Sequence, residues 1–296
     1  MADKLALINR ALEAEAIKID HLSFSYDTHH NTPENSSALE DISLSIADNE
    51  FTAIIGQNGA GKTTLLKNLT GLLRPTKGDI FIRGKNTQGM FVSAISAEIG
   101  FVMQNPDRQL FAETVYDEAA YALRNAGLPE RDIKPRVEAV LDAVGLAGER
   151  ESFPLALSGG DRAKTVIASV LAMGSKILIL DEPVAGQDYR NGRRIMNILR
   201  ELHGRGYTVI FVTHTMSLVA EYARRVIVMR EKRVMMDGAV SDIFSHAGDL
   251  AWAGILPPRI TRLSRELRAE LPLEKDALSA AELGDMLLAL ERSGAS

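Results

Sequence analysis

Apolar and polar positions along this chain change rhythm several times, and each change predicts an element. Residues 16–26 alternate, with Ile17, Ile19, Leu22, Phe24 and Tyr26 at strand spacing. Further strands are expected at 39–46, 51–55 and 78–82, and Gly100-Phe101-Val102-Met103 reads as interior. From 114 to about 144 the period turns helical, interrupted by Gly127-Leu128-Pro129, and another helix is expected from Ser158 to about 173. Ile177-Leu178-Ile179-Leu180 is apolar on both faces, as a central parallel strand is. Helix (188–203), strand (208–212), helix (217–223) and strand (226–229) then alternate, the pattern of an α/β protein. Beyond about 246, Ile260, Leu263, Leu267 and Leu271 mark one helical face, and 278–290 forms a second apolar helix. Residues 1–15 read as a short helical leader, and 27–37, with Asn31, Pro33 and Asn35, as a surface loop.

Composition narrows the function classes. The 296 residues are 46% hydrophobic and 25% charged, ordinary for a globular protein of one large or two smaller domains. A net charge of −5 argues against a nucleic-acid partner, which would call for a basic face. With no cysteine, disulfides, thiolate metal sites and Cys nucleophiles are excluded, and the six histidines lack metal-ligand spacing. No apolar run approaches the ~18–20 residues that span a bilayer, and residues 1–20 lack a signal-peptide core. The chain is therefore expected in the cytosol, held at a membrane only by another chain.

The candidate chemistry begins at residues 56–64, Gly56-Gln57-Asn58-Gly59-Ala60-Gly61-Lys62-Thr63-Thr64, between the strand 51–55 and a predicted helix over 62–72. This is the spacing of a phosphate-binding P-loop. Its glycines let backbone N–H groups close on phosphate oxygens beside a helix N-terminus. Lys62 can reach the β- and γ-phosphates, and the Thr63 hydroxyl suits Mg²⁺. Asp181 and Glu182 end the 177–180 strand, where open α/β sheets carry their chemistry. Asp181 can help hold Mg²⁺, and Glu182 can polarise water; an isolated Asp-Glu pair would equally suit a solvated strand end. Leu157-Ser158-Gly159-Gly160 opens a helix, with Ser158 as N-cap and two glycines exposing N–H groups to an anion.

With these motifs in order, the chain resembles the ATP-binding subunit of an ABC transporter. The resemblance implies a P-loop NTPase core with an antiparallel β subdomain and a helical subdomain at about 105–172, all within 16–246, followed by a small C-terminal helical extension over 247–296. It implies that Tyr26 stacks on adenine, although a strand-end tyrosine equally suits packing. Gln104 is the implied Q-loop residue, which senses Mg²⁺, water and the membrane partner. Asp188 is the implied D-loop aspartate and His214 the switch histidine. The segment after Gln104, Asn105-Pro106-Asp107-Arg108-Gln109-Leu110-Phe111-Ala112-Glu113-Thr114-Val115, is similar to that of energy-coupling factor (ECF) transporters and of the cobalt and nickel importers related to them. The stretch from Gly254 to Leu267 resembles the C-terminal extension of ECF ATPases, implicated in pairing two ATPase subunits.

The same resemblance implies a dimer binding ATP and Mg²⁺, each ATP between one protomer's P-loop and the other's Ser158–Gly160 helix. Glu182 would activate water, while Lys62, Mg²⁺ and His214 stabilise developing charge. The second ATPase is an identical or a sister subunit. The remaining partners are a transmembrane coupling protein and a membrane substrate-binding protein, with a vitamin or a transition-metal ion as cargo and the cytoplasmic face as location. A soluble ABC ATPase uncoupled from transport is the alternative. Two positions depart from the common pattern: Asp161 follows the signature where Gln is usual, and Ala185-Gly186-Gln187-Asp188 replaces the frequent Ser-Ala-Leu-Asp. Asp161 is expected to place negative charge near the γ-phosphate pocket. The resemblance places the docking site of the membrane partner around Gln104, with Leu110 and Phe111 as expected anchors inside an acidic rim of Asp107, Glu113, Asp117 and Glu118. The alternative is that Leu110 and Phe111 are core residues and the acids a solvated helix face.

Overall fold

The computed structural model describes residues 15–26 and 37–293; the predicted helical leader, apart from Glu15, and the predicted loop at 27–37, apart from Ser37, lie outside them. In chain order the elements are β1 (Glu15–Ser25), β2 (Ser37–Ala47), β3 (Phe51–Gly56), α1 (Lys62–Leu69), β4 (Lys77–Ile82), β5 (Lys85–Asn86), α2 (Val92–Glu98) and β6 (Ile99–Val102). Then come α3 (Val115–Asn125), α4 (Glu130–Val144), α5 (Gly159–Ala172), β7 (Ile177–Asp181), α6 (Tyr189–Gly204) and β8 (Thr208–Val212). The last are α7 (Met216–Tyr222), β9 (Arg225–Arg230), β10 (Arg233–Ala239), α8 (Val240–Ser245), α9 (Ala247–Trp252), α10 (Arg259–Leu267) and α11 (Ala280–Ser293).

These elements form two compact units, which divide inside the P-loop segment. One holds the described residues up to Glu50 together with Thr63–Val212; the other holds Phe51–Lys62 and the described residues from Thr213 onward. In the first unit, an antiparallel sheet runs in the order β2-β1-β4-β5, and its alternation buries Ile17, Ile19, Leu22, Ile80 and Ile82. Strands β6, β7 and β8 pair in parallel, Leu180 facing Val102 on one side and Phe211 on the other. Every residue of β7 is buried, as its unbroken apolar run predicts. Helices α3, α4 and α5 pack together through Ala119, Leu123, Ile133, Val137, Leu141 and Val166.

Within the second unit, β3 pairs in parallel with β9, and β9 in antiparallel with β10. The β9–β10 turn takes Glu231 and Lys232 through φ of 47° and 69°, a left-handed pair of the kind tight hairpins use. Helix α10 does not carry the predicted four-residue apolar face. Leu263 is 45% exposed and Leu271 lies beyond the helix end. The buried side centres instead on Thr261 and Ser264, because Ala277 comes close enough to donate its N–H to Ser264 Oγ at 2.9 Å. Ile260, Leu267 and Leu271 still pack with Leu273, Leu283, Leu287 and Leu290 of the α11 region. Arg265 reaches Asp276 Oδ2 at 2.6 Å and the Phe244 carbonyl at 2.7 Å, tying these helices to α8.

Candidate functional site

The P-loop turn leaves β3 at Gly56, whose backbone no other residue can replace. A Cβ there would strike the Met229 carbonyl of the neighbouring strand, with the Met229 carbonyl carbon 3.2 Å away. Gln57, Asn58 and Gly59 form the exposed crest, and Ala60, buried, closes it with its N–H on the Gln57 carbonyl at 3.2 Å. Gly61 comes next at φ 100°, and Lys62 then starts α1. The Lys62 side chain is buried and folds back onto its own loop, its Nζ donating to the carbonyls of Gly56 at 2.7 Å and Gln57 at 2.9 Å.

Thr63 and Thr64, next in the chain, belong to the other unit. Thr63 Oγ1 donates to Asp181 Oδ2 at 2.8 Å, and Asp181 is 3% exposed at the end of β7. Thr64 is buried and shares a hydrogen bond of 3.2 Å with the Tyr26 hydroxyl. The Tyr26 ring meets Phe24 in a T-shaped contact, with centroids 4.9 Å apart, and is 58% exposed. Glu182 takes φ +52°, uncommon for a residue with a side chain, and its backbone is fixed on both sides. Its N–H donates to the Val212 carbonyl, and its carbonyl accepts from Ala185, each at 3.0 Å. His214 lies exposed two residues beyond the end of β8.

A cleft of about 920 Å³ in the first unit collects many of the remaining candidates. Thr63, Gln104, Asp181, Gly159 and Asp188 all line it. Ser158 caps α5 as its position predicts, Oγ accepting from Asp161 N at 3.2 Å and donating to Asp161 Oδ2 at 2.7 Å. Gly159 and Gly160 open the helix, and a Cβ on either would approach the Gln187 carboxamide, within 3.0 Å of Nε2 and 3.5 Å of Oε1 respectively. Asp188 caps α6, accepting from Asn191 N at 2.9 Å and Asn191 Nδ2 at 2.8 Å. The expected charge at Asp161 is compensated locally, since Lys164 Nζ meets Oδ1 at 2.8 Å. Burial raises the Asp161 pKa, but the Lys164 and Ser158 hydrogen bonds outweigh it and leave the carboxyl below its usual range.

The segment after Gln104 departs from the sequence expectation. Leu110 is 6% exposed and serves the core, whereas Phe111 is 61% exposed and packs edge-on against Tyr121 at 4.5 Å. The acidic rim is mostly engaged. Asp107 pairs with Arg162 of α5 at 2.8 Å, Asp117 with Arg124 at 2.8 Å, and Glu118 is buried; Glu113 is exposed. Glu118 Oε2 accepts from Phe111 N and Ala112 N, both at 2.9 Å. Gln109, which sequence reasoning passed over, accepts from Met103 N at 2.8 Å and donates to the Phe101 carbonyl at 3.2 Å. Gln109 stands in the quoted Asn105–Val115 segment, but nothing in that segment marks it as a clamp; Gln187 could have been found from its departure from the usual D-loop.

A P-loop, strand-end carboxylates and a serine-capped Gly-Gly helix are the motif set of an ATP-binding cassette. The ABC transporter family matches residues 39–185. An energy-coupling factor transporter ATP-binding protein, EcfA2, of Caldanaerobacter subterraneus is 40% identical over 277 residues, covering 92% of this chain and 96% of its own. A solved structure of cbiO1 from Clostridium perfringens, part of the ABC transporter complex cbiONQ, superposes with TM-score 0.73 at 32% identity, covering 86% of this chain and 99% of that one. A putative ABC transporter ATP-binding protein of the same Caldanaerobacter strain is 41% identical over 261 residues, and here the chain spans 46% of the relative's length. The chain belongs to the ABC transporter ATP-binding proteins, in the energy-coupling factor branch. Among the described residues, no helix is long and apolar enough to cross a membrane.

Proposed function

We propose that this chain binds and hydrolyses ATP with Mg²⁺ to energise an importer of the energy-coupling factor type. The observation that carries the reading is the Thr63–Asp181 hydrogen bond, a hydroxyl and a buried carboxylate 2.8 Å apart directly after the P-loop lysine. These are hard oxygen donors of the kind Mg²⁺ takes beside nucleotide phosphates, so the residues fit the ion. Bound there, Mg²⁺ would neutralise phosphate charge. Lys62 releases its own loop carbonyls and turns its ammonium to the phosphates, and Tyr26 offers a ring face to adenine. Glu182, with its backbone fixed, takes a proton from a water that attacks the γ-phosphorus in line as ADP leaves; His214 and Lys62 stabilise the developing charge, and Gln104 senses the ion and the water. Gly56 to Gly61, Thr63 and Thr64 supply the cradle, while Ser158, Gly159, Gly160 and Asp188 serve the second protomer's nucleotide.

The relative named EcfA2 and the cbiO1 structure favour transport over a soluble ATPase. A surface feature supports the same choice. A groove of about 410 Å³, lined by Leu72, Val92, Phe111 and Tyr121 among others, lies beside the Gln104 segment. These four are all 43% exposed or more, a patch that fits an amphipathic helix of a transmembrane coupling protein. A separate membrane protein would bind the cargo, a vitamin or a transition-metal ion. Residues 247–296 would help two ATPase subunits pair, and the protein would work peripherally at the cytoplasmic face.

Steady-state hydrolysis and nucleotide binding test the reading together. Glu182→Gln should bind ATP as wild type yet lose ~10²–10⁴ in rate. Lys62→Ala should weaken binding itself. A Glu182→Gln protein that turns over at the wild-type rate removes Glu182 from the mechanism.

A further inference from the structure

Gln57 belongs to the exposed crest of the P-loop, yet its side chain lies across Gly254, in the turn after α9. A Cβ at Gly254 would fall 2.5 Å from Gln57 Cδ and 2.9 Å from Cγ, and would collide with Nε2. Gly254 stands at φ +67° and ends α9 through its N–H to the Ala251 carbonyl at 2.9 Å; Ile255 N donates to the Leu250 carbonyl at 2.8 Å. That is the helix ending in which glycine is favoured by its backbone. Here it is required a second time by the P-loop side chain against it.

The turn is held to the P-loop by a second route. Arg230, the last residue of β9, sets its guanidinium 3.4 Å from the Trp252 ring centroid and donates to the Trp252 carbonyl. The residue before it is Met229, whose carbonyl backs Gly56. Contacts therefore run in a ring from Gly56 and Gln57 to Gly254 and Trp252, then through Arg230 and Met229 back to Gly56. The carbonyls of Gly56 and Gln57 are the two that hold the Lys62 ammonium. Whatever draws Lys62 away releases the P-loop side of this ring.

We propose that Gly254 and Trp252 are positioning residues of the P-loop: the turn sets the pose of Gln57, and nucleotide in the loop is felt at Trp252. The proposal rests on the nucleotide-binding reading of the P-loop. Trp252 is 63% exposed and paired with a cation, so movement of the turn changes its surroundings. It is also the chain's one tryptophan, so its emission has a single source.

The test titrates the full chain with Mg-ADP, following Trp252 emission and, independently, heat of binding. Wild type should show an emission change that saturates with the calorimetric Kd. Gly254→Ala should raise that Kd about fivefold or more and blunt the emission change. Gly206→Ala supplies the backbone control, for Gly206 is also left-handed, at φ +86°, with nothing within 4 Å of an added Cβ. Its Kd should stay within about twofold of wild type. Removing the obstructing side chain should cancel the effect, so Gln57→Ala and the Gln57→Ala/Gly254→Ala double variant should share one Kd within about twofold, a non-additivity that general destabilisation does not produce. Trp252 emission that stays unchanged at saturation, or a Gly254→Ala Kd equal to wild type, overturns the proposal while leaving nucleotide binding standing. No heat of binding in the wild type overturns the nucleotide reading itself.

Discussion

Thr63 and Asp181, 118 positions apart in sequence, share a 2.8 Å hydrogen bond that joins the start of α1 to the end of β7. The hydroxyl spends its hydrogen on the carboxylate and keeps its lone pairs, which is the arrangement the proposed Mg²⁺ site requires. Asp181→Asn should therefore weaken the response to Mg²⁺ more than the response to nucleotide. Half-maximal hydrolysis should need ~10–100-fold more Mg²⁺, in the range seen when a group supporting a metal site is lost. An unchanged Mg²⁺ titration in this variant would take Asp181 out of the metal site.

Leu110 and Phe111 are neighbours with opposite fates. Leu110→Ala should cost about 2–4 kcal/mol of stability through the cavity it leaves. Phe111→Ser removes a ring that is 61% exposed and should cost less than about 1 kcal/mol, yet reduce recovery with detergent-solubilised membrane partners. Denaturation and copurification read the two effects separately. Equal stability losses would mean that Phe111 is a packing residue.

Glu118 is 5% exposed and accepts two backbone N–H groups, from Phe111 and Ala112. Glu118→Ala leaves both donors without their acceptor, at a cost of about 1–3 kcal/mol. Glu118→Gln, which keeps an acceptor oxygen, should recover part of it. Urea midpoints at constant slope measure both.

Asp117 gives a pH signature. The hydrogen bond from Arg124 at 2.8 Å, joined by that from Thr114 Oγ1 at 2.7 Å, holds its carboxyl below the usual range. A carboxyl with a lower pKa folded than unfolded adds stability above the unfolded value, near ~3.9, and that stability is lost as pH falls through the folded value. Asp117→Asn should melt below wild type at about pH 6, and the gap should close below about pH 4. A gap of constant size across that range would exclude Asp117 as its source.

How much of this was legible varies with the physics of each element. β3 and β7 announce themselves because burial on both faces demands unbroken apolar runs, and the P-loop because its glycines answer backbone demands that no other residue meets. β10 was missed: Arg233-Val234-Met235-Met236-Asp237 is an edge strand with only partial burial, held partly by the Arg225–Asp237 pair, so it carries no alternation. The burial of Ser264 in α10 was equally invisible, since its reason is the approach of Ala277 from 13 residues on. The resemblance ranked Leu110 with Phe111 as anchors, and no local pattern says which of two adjacent apolar residues turns inward. The Asp107–Arg162 pair and the clamp by Gln109 depend on the folded path of the chain, and no local pattern encodes them.

The two polar clamps on the segment after Gln104 give it a mechanical character. Gln109 fastens the segment to β6 through Met103 and Phe101, and Glu118 fastens its far end to α3 through Phe111 and Ala112. A cord pinned at both ends has no slack to take up. A load applied at Phe111 therefore falls on these two clamps, and inserting one residue beside Leu110, between them, should slacken the segment while leaving both clamps formed.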